Sequence, residues 1–132
     1  SLKVEDYSEL LDYWIITDRL EDIADETKRI TRHLKKRNFS KDELEKLKGL
    51  FLESKNAYIN LIKAFFSRDT SVAHNVATDI NSRLIEWEDI YNSSENKAIG
   101  SIIERFKTIE GQLRSIARMV VDRNIKIMGG VV

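Results

Sequence analysis

Cysteine is absent from this chain, which rules out disulfides, thiolate metal sites and cysteine nucleophiles. Proline is absent as well, and glycine occurs only five times in 132 residues. So few breaking residues favour long helices over many short strands joined by tight turns. No apolar run approaches the ~20 residues that cross a bilayer, so no membrane insertion is expected. Lys3, Glu5 and Asp6 interrupt any signal-peptide pattern. The 22 basic and 22 acidic side chains cancel, which removes any global attraction to nucleic acid or to an anionic membrane. Glycine-rich phosphate loops and Ser-His-Asp or lysine nucleophile arrangements are also missing from the pattern. These absences fit a cytoplasmic protein that is not an enzyme. The opening Ser1-Leu2, without methionine, reads as a processed chain or an excised fragment.

What is present is a globular composition. Hydrophobic residues make up 42% and charged residues 33%, and a chain this long buries roughly 68% of its extended surface on folding. One domain over residues 1–132 is expected, with helices at about 4–36, 41–66, 70–91 and 95–128. Leu20, Ile23, Ala24, Thr27, Ile30, Thr31 and Leu34 recur at helical spacing in the first. Its N-terminal half is different: Tyr7, Leu10, Leu11 and Trp14, with Tyr13, Ile15 and Ile16, surround the axis, and a helix apolar all round has to be covered all round. The belt of Tyr7, Leu10, Leu11 and Trp14 is therefore a candidate partner interface, expected to meet another copy in a homo-oligomer or a missing segment.

Ser40-Lys41-Asp42-Glu43 is a capping box that opens the second helix. Leu44, Leu47, Phe51, Ser54, Tyr58, Leu61 and Phe65 follow as a seam with one small polar interruption. Asp69 or Thr70 can cap the third helix, whose apolar face runs from Val72 to Tyr91. Ser94 can cap the fourth, with Gly129-Gly130 as its stop. Short connections make neighbours antiparallel. The expected fold is all-α, an up-down-up-down antiparallel four-helix bundle.

Asp18, Glu21, Asp22 and Asp25 are related by steps of three and four residues, so they share one side of the first helix. Like charges at this spacing repel by a few tenths of a kcal/mol per pair. Carboxylates so placed can hold a hard, oxygen-preferring cation, a divalent or iron-type metal. They can equally form an exposed ion-pair ladder with Lys28, Arg29 and Arg32 one turn on. A di-iron centre of ferritin type needs Glu-x-x-His, and Ile30 and Ser71 stand three residues before His33 and His74. The cations at the ends of helices one and four complement the helix dipole, and aromatic interleaving for nucleic acid is missing.

Helices one and four correspond at a constant offset of 86 residues, which sets Arg19 over Arg105, Leu20 over Phe106, Ile23 over Ile109 and Ile30 over Ile116. Two related helices with two between them imply a three-helix repeat. Leu20-Glu21-Asp22-Ile23-Ala24-Asp25 resembles the signature helix of the PhoU family of phosphate-uptake regulators, with Asp22 where arginine is usual. The segment from Arg68-Asp69 to Asp79-Ile80 is similar to the family's middle helix. The resemblance implies the last helix of one three-helix repeat followed by a complete second repeat. It also implies a regulatory role, through contact with a phosphate transporter and a membrane sensor kinase from the cytoplasmic side. Some PhoU proteins bind iron or zinc clusters, and Glu21 and Asp25 are the matching ligands. Lys107 and Gly111 stand at the equivalent positions of the second copy and offer no carboxylate. Two other readings remain open: a dimerisation or ligand-sensing domain of a microbial transcription regulator, and a metal-binding helical-bundle protein.

Overall fold

The computed structural model describes the backbone of residues 4–131 and the side chains of residues 7–123. Four helices follow one another: α1 (Val4–Lys36), α2 (Lys41–Ser67), α3 (Thr70–Ser93) and α4 (Ile99–Val131). Each start has a local cause. Ser40 Oγ accepts from the Glu43 amide at 3.1 Å while the Glu43 carboxylate accepts from the Ser40 amide at 3.3 Å, which completes the capping box of α2. Asp69 Oδ1 accepts from the amides of Ser71 and Val72 at 3.0 and 3.2 Å and so starts α3. Arg68, at φ 60°, turns the chain between them in the left-handed region.

Both ends of α4 differ from the sequence expectation. It starts at Ile99 rather than near residue 95, because Ser94 and Asn96 engage their own neighbourhood instead. Ser94 Oγ accepts from the Asn96 amide, and Asn96 Oδ1 accepts from the Ala98 amide, each at 3.2 Å. Such local bonding competes with the helical ladder. At the other end the helix continues through Gly129 and Gly130 to Val131. Glycine costs about 1 kcal/mol against alanine inside a helix, a penalty that does not enforce a stop. Gly100 has a spatial role: a Cβ there would lie 2.9 Å from the Tyr91 ring, so its bareness lets α4 begin directly on α3.

The helices run up-down-up-down, and α4 is the hub, packed against each of the other three. Side-chain pairs give the directions. Arg83 meets Glu110 and Trp87 meets Phe106, so α3 and α4 are antiparallel. Arg19 meets Ser115 and Glu26 meets Arg105, so α1 and α4 are antiparallel as well. The core lies along α4, where Ile99, Ile102, Leu113 and Ile116 are fully buried against Leu61, Ala73, Ile80 and Trp87. Trp87 stacks on Phe106 at 4.1 Å.

The bundle is not a closed square. Among the described residues no Cα atoms of α1 and α2 come within 8 Å of each other. A gap of about 310 Å³ separates them, floored by Phe106 and walled by Ile30, Leu34, Leu44, Leu47 and Phe51. Thr31 and Leu44 of the sequence-expected apolar faces line this gap and lie exposed, and Ala24 is exposed as well. The stand-off leaves α1 anchored chiefly through α4, where Ile16 and Ile30 are buried and Leu20 and Ile23 half-buried.

Candidate functional site

Three parts of the surface and core bear on function. The first is the acidic stripe of α1. Glu21 and Asp25 are exposed. Asp18 and Asp22 flank the Arg19 guanidinium at 3.4 and 3.9 Å. Arg19 in turn donates from Nε to Ser115 Oγ at 3.2 Å, which ties the stripe to α4. Among the described residues no group of three or more His, Asp or Glu side chains is gathered as a metal ion would require. Asp18 and Asp22 thus pair with Arg19 rather than with the cations one turn on, and Arg29 pairs with Glu26 instead. One turn on, Glu26 takes Arg29 at 2.9 Å and Arg105 at 3.2 Å. Arg19 and Arg105 therefore each bridge α1 and α4. Lys107 pairs with Glu88 of α3 and, at 3.3 Å, with Glu104.

The second part is a polar cluster that lies inside the core. Glu110 is 0% exposed, and Arg83 and Ser54 are buried with it. Arg83 donates from Nε to both carboxylate oxygens at 3.0 and 3.1 Å and from Nη2 to Oε2 at 2.9 Å. Ser54 Oγ donates to Glu110 Oε1 and lies 3.1 Å from the Leu50 carbonyl. Its single proton favours the charged acceptor. One residue each from α2, α3 and α4 meets here. The sequence held a signal for this cluster: each of the three sits at a seam position, Ser54 between Leu47 and Leu61, Arg83 between Ile80 and Trp87, Glu110 between Phe106 and Leu113. The Arg83 flank opens on a cavity of about 300 Å³ between α2 and α3, rimmed by Glu53, Asp79 and Glu86.

The third part is the outer face of α1. Trp14 is 74% exposed, and Tyr7, Leu10 and Leu11 are each more than half exposed. Trp14 lies two residues, about 200° of helical rotation, from the buried Ile16, so it points directly away from α4. Tyr13 joins this face to the end of α2. Its ring meets Phe65 at 5.4 Å and Phe66 at 6.1 Å, and Phe66 is itself 65% exposed. Leu10, Tyr13 and Trp14 continue into Thr17, Asp18 and Glu21 around a recess of about 610 Å³. Behind the face, Arg123 fixes the N-terminal half of α1. It donates to Glu9 at 2.9 Å and to the Phe65 carbonyl at 3.2 Å, approaches Asp12 at 4.0 Å, and stacks over the Phe65 ring at 4.2 Å.

No family model, no curated protein and no solved structure matches this chain. No helix among the described residues is long and apolar enough to cross a membrane.

Proposed function

We propose that this chain is a regulatory interaction module without catalytic activity, working by docking helical faces. The observation that carries the reading is the uncovered apolar face of α1, centred on Trp14. A large exposed apolar patch rimmed by polar side chains marks an interaction site. The PhoU resemblance of Leu20–Asp25 and the α1/α4 correspondence direct the reading to phosphate signalling in the cytoplasm. Its partners on this reading are a phosphate transporter and a membrane sensor kinase. That Arg19 and Arg105 each reach across the α1–α4 seam, to Ser115 and to Glu26, supports a common origin for the two helices.

Calorimetric titration of the purified chain with the cytoplasmic part of the transporter, and separately with the kinase's cytoplasmic region, tests the proposal. Saturable binding to at least one is expected. Binding to neither would overturn the phosphate-signalling part. The dimerisation-domain reading is favoured by the same apolar face and predicts self-association without either partner.

A further inference from the structure

The interaction reading leaves open what covers α1, and the inference below rests on that reading. The exposed parts of Tyr7, Leu10, Leu11, Tyr13, Trp14 and Phe66 amount to roughly 700 Å², given aromatic side-chain areas of ~150–250 Å². That is close to the ~800 Å² that each partner contributes to a standard protein interface. It also exceeds the ~300–600 Å² of the largest apolar patch on a typical monomer. The patch runs along α1, with Phe66 of α2 at its side. Tyr7, Leu10/Leu11 and Trp14 advance by three and four residues, the spacing of a seam that meets another helix.

The flanking charge selects the occupant. Glu9 and Asp12 lie behind the patch, and Asp18 and Glu21 continue it. An anionic membrane would be repelled by this rim. A second copy fits in one orientation. With a two-fold axis at Trp14 and the helices antiparallel, Asp18 and Glu21 of each copy lie beside Leu10 and Tyr7 of the other. The Tyr13–Phe66 contact shows that the C-terminal end of α2 shares this end of the bundle, and it carries the exposed Lys63. This orientation sets the carboxylates of one copy on the side of the other's Lys63. Parallel helices would instead set Asp18 and Glu21 against their own equivalents, a repulsive pairing.

We infer that two copies of this chain associate through the outer face of α1, antiparallel about Trp14, each burying the other's Tyr7, Leu10, Leu11, Tyr13, Trp14 and Phe66. Sedimentation equilibrium over a wide concentration range tests this. The wild-type chain is expected at dimer mass. Trp14→Glu is expected to dissociate about thirtyfold more readily or worse, as for a central aromatic anchor, with helix content by circular dichroism unchanged. A Trp87→Phe chain keeps Trp14 as its sole tryptophan, and its emission should shift to the blue as concentration rises. Asp18→Asn with Glu21→Gln should weaken the antiparallel dimer, and a stronger dimer would overturn that orientation. A monomer at every concentration, or a dimer indifferent to Trp14→Glu, overturns the inference. A monomer that still binds the kinase or transporter subunit would leave the interaction reading standing while removing the second copy. Anionic-vesicle binding without dimerisation would assign the face to lipid and also overturn the inference.

Discussion

Glu110 is the residue on which the centre of the bundle turns. A carboxylate removed from water costs several kcal/mol unless its charge and lone pairs are matched. Here Arg83 supplies three hydrogen bonds and Ser54 one, so both oxygens are engaged. The pair is a weak source of net stability but a strong constraint, since either half alone would be an uncompensated charge. Glu110→Leu or Arg83→Met alone should cost about 3–5 kcal/mol in urea unfolding. The double variant should recover most of that loss or exceed the wild type. A double variant as unstable as the singles would show that shape, not charge matching, holds the site. In apolar seams a single polar contact can fix register, and these three side chains join α2, α3 and α4 at one point. Their mutual pairing could not be read from the chain. The partners are 27 and 56 residues apart, and only the rotation of three helices about the core brings them together.

Element boundaries show where local chemistry is sufficient and where it is not. The Ser40–Glu43 box and the Asp69 cap are legible because every bond in them spans two or three residues. The start of α4 is not, because Ser94 and Asn96 choose turn bonding over capping, a choice between two uses of the same side chains. The stand-off of α1 from α2 is not legible either. Both helices carry apolar faces of ordinary width, and only the packing shows that α4 takes most of what α1 offers. The stripe of Asp18, Glu21, Asp22 and Asp25 was visible as a pattern, while its ion-pair character depended on where Arg19 and Ser115 fell. At this scale Arg123 is the clamp. Its guanidinium joins α4 to Glu9 of α1 and to the last turn of α2. Arg123→Met keeps much of the stem and deletes these bonds, each worth ~1.5–3 kcal/mol when a charged group takes part. Amide exchange in residues 7–16 should accelerate in that variant while residues 99–113 keep their protection. Uniform acceleration would mean that the clamp serves the whole fold.

For the whole molecule, acid is the expected weak side. The Ser94 hydroxyl, helped by the capping bonds to Ser40, holds the Glu43 carboxyl below its ordinary 4.5. The Ser71 hydroxyl, with the Val72 and Ser71 amides, holds Asp69 below 3.8. A carboxylate whose value falls on folding stabilises the native state fully above the unfolded value, and that contribution is lost as pH drops through the folded one. Lys107 is raised above 10.5, chiefly by its bond to Glu88, so its contribution is complete below that value and disappears at higher pH. Melting temperature against pH should therefore be flat through neutrality and fall below the carboxylate values, with Glu43→Gln and Asp69→Asn each making the acid limb shallower. An unchanged limb in both variants would place the acid sensitivity elsewhere.

The gap beside α1 has a mechanical corollary. Beside that gap α1 is an outrigger, held along α4 and pinned to α2 at the Tyr13 end. Loss of the Arg123–Glu9 bond would free that end of the spar, while Glu110 and its cage, built on the other three helices, would keep their bonds.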